Sequence, residues 1–91
     1  MIYGLEELRY GFDISADVVV VGSGPGGAVA AYNLAKAGMK TVLLEAGPAL
    51  KPEDLATSPP SFLARYYWEG GTRVIGGDAQ IPSLQGRALG G

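Results

Sequence analysis

The sequence predicts an α/β fold built on a strand–helix–strand unit, and three observations lead to that prediction. A β-branched run, D-V-V-V-V at residues 17–21, leads into the glycine-rich stretch G-S-G-P-G-G. An alanine- and leucine-rich stretch follows and ends at Ala37, and a second apolar run, K-T-V-L-L-E, occupies residues 40–45. Runs that are apolar on both faces are typical of buried parallel strands, and parallel strands need a crossover connection between them.

The helix between the two strands follows from composition and from the residue that ends it. Alanine and leucine favour helix, and Gly38 stands where a glycine commonly terminates one. Together these elements predict one βαβ unit over residues 17–47. A unit with two parallel strands and one helix leaves a sheet edge open and a face uncovered, so we expect this domain to be incomplete without a partner chain.

Two further segments flank this unit. Residues 1–16 carry Leu5, Leu8 and Phe12 at helix-like spacing, but glycines interrupt them, which predicts a lead-in arm that is a weak short helix or irregular. Residues 48–91 are predicted to form a loop, a short helix and a hairpin.

Turn-forming residues separate the elements of that second half. Prolines make residues 46–60 largely loop, although Pro52-Glu53-Asp54-Leu55 has the proline and acids of a helical first turn. Residues 61–68 are aromatic and mildly helical. Residues 72–75 and 79–81 are predicted as a loose hairpin, with the following proline confining the second arm to a sheet edge.

Composition excludes several classes of function. The chain has 91 residues, a net charge of −2 and no basic cluster, which argues against a nucleic-acid partner. Without cysteine there are no disulfides, thiolate nucleophiles or cysteine metal sites, and no metal site is predicted. No apolar run approaches the roughly 18 residues of a membrane span, and the N-terminus lacks a positive region. A cytoplasmic location without membrane association is therefore expected.

The glycine stretch fits G-x-G-x-x-G in the context that dinucleotide binding requires, between a strand and a helix. Gly22 permits the tight turn, Gly24 lets a pyrophosphate approach the backbone, and Gly27 lets the helix lie close to the sheet. The helix N-terminus offers N–H groups to the phosphates. The predicted phosphate-binding residues are Gly22, Ser23, Gly24, Pro25, Gly26 and Gly27.

Glu45 supplies the acid that such a unit needs. It ends the second strand about 20 residues beyond the turn, where a carboxylate accepts the two ribose hydroxyls of an adenosine. The same charge would repel a 2′-phosphate, which disfavours an NADP-type ligand. The fingerprint itself serves both FAD and NAD.

The sequence around these residues narrows the choice between FAD and NAD. V-V-V-V-G-S-G-P-G-G followed by T-V-L-L-E-A-G-P resembles the N-terminus of flavoprotein oxidoreductases. That resemblance implies FAD as cofactor, with Glu45 on the ribose and the backbone at Ala46 near the adenine.

A second motif lies at residues 86–91. G-R-A-L-G-G resembles the first sequence motif of the glucose-methanol-choline (GMC) oxidoreductases, and the preceding W-E-G-G-T-R-V-I-G-G-D-A-Q-I-P-S-L-Q resembles their bacterial members. In that family the segment passes along the flavin pyrophosphate, which implies cofactor contacts from Gly90 and Gly91. Arg87 has two open roles, one on the phosphates and one holding the loop to a carboxylate. Tyr66, Tyr67 and Trp68 are expected to pack rather than to contact a ligand.

The resemblance also implies an activity. GMC oxidoreductases combine a Rossmann-type FAD domain with a substrate domain and oxidise an alcohol or sugar hydroxyl by hydride transfer to FAD. Their catalytic base is a histidine, and this chain contains none, so no catalytic residue is assigned here. We expect a second polypeptide in a heteromer to carry that base and the rest of the fold, with the residue that follows Gly91 on that other chain. The alternatives are a non-catalytic nucleotide-binding or structural fragment and a truncated NAD-dependent dehydrogenase.

Overall fold

The structure, a computed structural model, describes residues 1–11 and 13–91. Its elements run in the order β1 (Val18–Val21), α1 (Pro25–Lys36), β2 (Thr41–Leu44), a 3₁₀ turn (Pro52–Ala56), α2 (Pro59–Tyr66), a second 3₁₀ turn (Trp68–Gly71), β3 (Val74–Ile75) and β4 (Ile81–Pro82).

The two long apolar runs form a small parallel sheet. β1 pairs with β2 in a register that places Val18 beside Thr41 and Val21 beside Leu44. Helix α1 connects them and packs on both. The predicted α/β class, with mixed helix and strand and a parallel strand pair, is therefore confirmed.

Helix α1 lies on the sheet through a narrow stripe of small residues. Gly27, Ala31 and Leu34 are the half-buried positions of α1, at the spacing that puts residues on one helix face. The helix ends as predicted at Gly38, whose φ of 90° is in the left-handed region. Its N–H donates to the carbonyl of Ala35, and the next N–H, from Met39, donates to Leu34, which is the Schellman pattern.

The second half of the chain is short-range structure. The 3₁₀ turn lies where the proline and acids predicted a helical turn, and β3 and β4 pair antiparallel at the predicted hairpin. Helix α2 begins at Pro59, inside residues predicted as loop. The reason is that proline is tolerated in the first turn of a helix, whose N–H groups have no intrahelical partner.

The lead-in arm forms turns. The N–H of Leu8 donates to the carbonyl of Gly4, and that of Gly11 donates to Leu8. Residues 1–11 are exposed along their whole length. Phe12, the third apolar position of the predicted pattern, lies outside the described residues. The division of the chain into arm, βαβ unit and second half stays a prediction.

Few side chains of the described chain are fully buried. The buried apolar residues are Tyr66 and Ala88, at 3% and 9% exposure. The accessible surface is 7019 Å², whereas a compact protein of this mass exposes roughly 5000 Å². Alternate residues of β1, Val19 and Val21, point away from α1 and stay 56% and 80% exposed. The sheet therefore has one face under α1 and one apolar face bare.

Within residues 1–11 and 13–91, no helix has the length and apolar character needed to cross a membrane.

Candidate functional site

A cleft of about 540 Å³ opens at the carboxyl ends of β1 and β2. In open α/β sheets, ligands bind beyond the carboxyl ends of the parallel strands. The walls come from both strand ends, from the glycine turn (residues 22–27) and from the second glycine segment (residues 86–91). The lining residues are Val21, Gly22, Gly24, Leu44, Glu45, Ala46, Trp68, Gly86 and Gly91.

The glycine turn folds tightly between β1 and α1. Gly22 continues the strand pairing by donating its N–H to Leu44 at 2.8 Å, then turns with a φ of 94°. A Cβ on Gly27 would lie 1.8 Å from the carbonyl oxygen of Gly22. The predicted reasons for glycine at these two positions, a tight turn and a close helix approach, agree with this geometry.

Gly24 is different, because nothing within the chain requires it to be glycine. Its φ is −65°, which any residue adopts, and a Cβ there would meet no atom within 4 Å. It lines the cleft, so a side chain would project into open space. The absent side chain therefore leaves room beside the N-terminus of α1, which carries no side-chain cap. Because Pro25 has no N–H and that of Ala28 donates to Gly24, Gly26 and Gly27 supply the N–H groups for an anion.

Glu45 is held by three hydrogen bonds at the floor of the cleft. The backbone N–H and hydroxyl of Ser23 donate to Oε2 at 3.0 and 2.6 Å, and the N–H of Gly47 donates to Oε1 at 2.9 Å. These bonds, the one from the Ser23 hydroxyl foremost, lower the pKa of Glu45 below its ordinary value and outweigh the opposing effect of burial. The carboxylate is thus kept ionised at neutral pH.

The second glycine segment closes over the glycine turn. The N–H of Gly90 donates to the Ser23 hydroxyl at 2.9 Å. A Cβ on Gly91 would lie 2.9 Å from the Cα of Gly24, so the two backbones are in close contact. The N–H of Gly91 donates to Ala88. The N–H groups of Gly90 and Gly91, the two residues predicted to contact a cofactor, thus bond within the chain, and Gly91 borders the cleft through its backbone.

The same segment is anchored on its other side by α2 and by the loop after β2. The N–H of Arg87 donates to Tyr66 at 2.6 Å, and that of Leu89 donates to Pro48 at 2.9 Å. A Cβ on Gly47 would lie 2.1 Å from the carbonyl carbon of Arg87. Nothing in the sequence marks Gly47 except its place directly after Glu45 and Ala46, and that place does not reveal the contact.

Arg87 lies behind the cleft. Its guanidinium carbon is 5.6 Å from the centroid of the Trp68 ring, and its Nε is buried without a hydrogen-bond partner among the described residues. Among the described residues, the ion pairs are Arg65 with Asp54 and Arg73 with Glu69. Arg87 therefore has no carboxylate partner within residues 1–11 and 13–91. A phosphate-binding role for Arg87 stays a prediction.

Trp68 is a wall of the cleft that the sequence analysis assigned to packing. The residue is 36% exposed, and the guanidinium groups of Arg73 and Arg87 lie 5.2 and 5.6 Å from the centroid of its ring. The other two aromatic residues of that stretch, Tyr66 and Tyr67, line a smaller cavity of about 140 Å³ on the far side of Gly86. Of these three neighbouring aromatic residues, Trp68 thus lines the cleft, whereas Tyr66 and Tyr67 line the smaller cavity.

The structure therefore divides the predicted site residues into two groups. Those that line the cleft are Gly22, Gly24, Glu45, Ala46 and Gly91. The predicted residues that do not line it are Ser23, Pro25, Gly26, Gly27, Arg87 and Gly90. No group of residues able to hold a metal ion occurs in the described ranges.

These features fit a dinucleotide. The open space beside Gly24 accommodates a pyrophosphate, the uncapped helix N-terminus favours its charge, and ionised Glu45 is an acceptor for hydroxyl groups. The fit identifies the class of site as dinucleotide-binding but does not by itself separate FAD from NAD.

Comparison with known proteins makes that separation. Residues 17–58 match the family described as FAD binding domain. The chain is 44% identical over 81 residues to a long-chain-alcohol oxidase from Arabidopsis thaliana, covering 88% of this chain and 11% of that protein. It is 43% identical over 77 residues to an uncharacterised GMC-type oxidoreductase from Mycobacterium tuberculosis, covering 84% and 12%. A shorter match, 59% over 32 residues, joins 35% of the chain to 12% of a thiamine thiazole synthase from Saccharolobus islandicus.

These matches confirm two predictions. The cofactor is FAD, and the resemblance to GMC-type oxidoreductases holds over most of the chain. The chain spans about one tenth of the length of these relatives. No solved structure matches it significantly.

Proposed function

We propose that this chain is the FAD-binding part of a GMC-type flavoenzyme that oxidises an alcohol or sugar hydroxyl, with the flavin supplying the hydride acceptor. The observation that carries the proposal is the cleft itself, where the glycine turn, ionised Glu45 and the second glycine segment meet beyond the strand ends. The names of the long-chain-alcohol oxidases among the relatives favour a long-chain alcohol as the first substrate class to examine.

Each residue of the cleft has a binding task in this proposal. The α1 N-terminus and the space at Gly24 hold the pyrophosphate, and the Glu45 carboxylate accepts a ribose hydroxyl. The backbone at Ala46 borders the adenine side of the cleft. Arg87 is a candidate for the phosphates only if its guanidinium leaves Trp68.

The proposal assigns proton transfer and the rest of the fold to another polypeptide. The chain has no histidine to act as general base. The bare apolar face of the sheet, with Val21 80% exposed, and the large accessible surface support a polypeptide that packs there and extends the sheet into a Rossmann-type domain. The cytoplasmic location stays a prediction.

The spectrum of the intact protein that contains this chain tests the cofactor and the reaction together. We expect the visible absorption of oxidised flavin, and its loss when a long-chain primary alcohol is added without oxygen. The alkane of the same length is the control, because it lacks the hydroxyl group. A glucose-type sugar is the second substrate arm.

Two results would overturn the proposal in different ways. A colourless protein that binds NAD would make it an NAD-dependent dehydrogenase. A yellow protein whose flavin stays oxidised with every alcohol and sugar would leave a non-catalytic nucleotide-binding fragment.

A further inference from the structure

Ser23 is the one buried polar residue of the described chain, at 2% exposure, although it lies in a turn beside an open cleft. The sequence placed it among the phosphate-binding residues. In the structure its hydroxyl instead lies between two protein groups, 2.6 Å from Oε2 of Glu45 and 2.9 Å from the N–H of Gly90.

The chemistry of these partners fixes the direction of both bonds. An ionised carboxylate only accepts and a backbone N–H only donates, so the hydroxyl must give its single proton to Glu45 and accept from Gly90. A hydroxyl that is used in this way has no proton left for a ligand. Burial separates it from the cleft as well.

We propose that Ser23 is a positioning residue, whose hydroxyl ties the second glycine segment to the glycine turn and orients Glu45, and that it does not itself contact the cofactor. The part that concerns the cofactor rests on the proposed function. We call the pair of hydrogen bonds from Glu45 through Ser23 to Gly90 the Ser23 bridge.

The bridge also selects which oxygen of Glu45 serves the ligand. Oε2 accepts twice from Ser23, from its N–H and its hydroxyl, whereas Oε1 accepts once, from Gly47. A carboxylate offers about two acceptor sites on each oxygen. The N–H of Ala46 also favours the charged form of Glu45, so Oε1 is the less occupied oxygen and the one open to a ligand. This narrows the prediction of a carboxylate that accepts both ribose hydroxyls.

The close backbone contacts beside the bridge explain why its loss should be felt across the cleft. Gly91 rests on the Cα of Gly24, and Gly47 rests on the backbone of Arg87, with no side chain between them. These contacts form only while the second glycine segment stays close to the glycine turn. The hydrogen bond from Gly90 to Ser23, which is part of the Ser23 bridge, joins the two.

The test compares Ser23→Ala with Ser23→Thr in the intact protein. Hydrogen–deuterium exchange of residues 86–91 reports on the second glycine segment, and the pH at which half the flavin is released reports on Glu45. For Ser23→Ala we expect the Gly90 amide to exchange about tenfold faster, the size expected for one lost hydrogen bond. We also expect half-release at higher pH, because Glu45 loses the hydrogen bond that most lowers its pKa. Ser23→Thr keeps a hydroxyl and should stay near wild type on both measures.

Two further variants keep the test decisive. If Ser23→Ala does not fold, Ser23→Cys keeps the branching of the side chain with a larger terminal atom, weakens both bonds and should change both readouts in the same direction. Gly47→Ala displaces the same segment from its other side and should raise exchange over residues 86–91 with Ser23 intact. Gly76→Ala is its matched control, because a Cβ there meets no atom within 4 Å.

If Ser23→Ala changes neither the hydrogen–deuterium exchange of residues 86–91 nor the pH of flavin release, the inference about Ser23 is wrong. A wild type that contains flavin would still support the proposed function. A wild type without flavin would refute the proposed function, and exchange in the flavin-free protein would still decide whether the Ser23 bridge holds residues 86–91.

Discussion

Glu45 is charged at the cleft because hydrogen-bond donors from the neighbouring backbone and from Ser23 stabilise its carboxylate. The hydroxyl and N–H of Ser23 and the N–H of Gly47 replace water around the two oxygens. Since they favour the charged form, the pKa of Glu45 is lowered. Its binding contribution is therefore present above the ordinary glutamate pKa and is lost only as pH falls through the lowered value.

Substituting Glu45 tests that charge. For Glu45→Gln, which keeps the shape, and for Glu45→Ala, we expect flavin affinity to fall about ten- to a hundredfold, as for a lost hydrogen bond to a charged group. The acid-induced loss of flavin that we expect in the wild type should also disappear from the pH profile. The measurement is a flavin titration across pH, with the exposed Glu53→Gln as control. An unaltered pH profile in Glu45→Gln would contradict the role of this carboxylate.

Gly24 allows the phosphate position to be tested without disturbing the chain. Because a Cβ there meets no neighbour and its φ is ordinary, Gly24→Val should leave the flavin-free protein folded, at the modest cost of a valine N-cap on α1. Its side chain would project into the cleft, so we expect flavin to be lost. The readout is the flavin-to-protein ratio, and a full complement of flavin would refute the placement of the pyrophosphate.

At the scale of elements, helix α1 depends on two adjacent glycines that serve different purposes. Gly27 has the carbonyl of Gly22 where its Cβ would be, whereas Gly26 faces open space. Helical glycine costs about 1 kcal/mol relative to alanine. At Gly27 the loss of helix propensity allows close packing on the turn. At Gly26 the same loss has no packing reason within the described chain.

This contrast gives a matched pair of substitutions. Gly26→Ala should raise the free energy of unfolding by about 0.5–1 kcal/mol. Gly27→Ala should lower it by about 1–3 kcal/mol, because the helix must move away from the turn. Urea denaturation of the intact, flavin-free protein measures both. Equal effects of the two substitutions would show that α1 does not lie against the turn as described.

The sequence predicts the elements whose signals are local. β-branched runs and glycines at fixed offsets were enough to place β1, α1 and β2, because strand burial, turn and helix end each leave a nearby mark. The bond from Gly90 to Ser23 spans 67 positions and has no local signal. The same holds for the contact of Gly47 with Arg87, and the cleft position of Trp68 depends on packing between distant segments rather than on its aromatic neighbours.

At the scale of the whole molecule, the described chain is extended for its length. Its radius of gyration is 15.7 Å, against roughly 12 Å for a compact domain of this size. With Tyr66 and Ala88 as its buried apolar residues, it removes little apolar surface from water. Chain entropy opposes folding by about 1–2 kcal/mol for each residue ordered. A core of this size offsets little of that cost.

The isolated 91 residues should therefore unfold without a cooperative transition. Near-ultraviolet circular dichroism during heating measures this, and the intact protein, which should melt cooperatively, is the control. A sharp transition in the isolated chain would show that it needs no polypeptide on the bare face of its sheet.

The hydrogen bond between Gly90 and Ser23 also sets an order of events during synthesis. Because it joins residues 67 positions apart, closing that loop costs roughly 4 kcal/mol of chain entropy by its logarithmic dependence on length. Strands β1 and β2 with their helix leave the ribosome first, but the cleft has no roof until the second glycine segment has emerged. Flavin capture should thus begin only after residues 86–91 have emerged, so the strand–helix–strand unit forms before it can hold its cofactor.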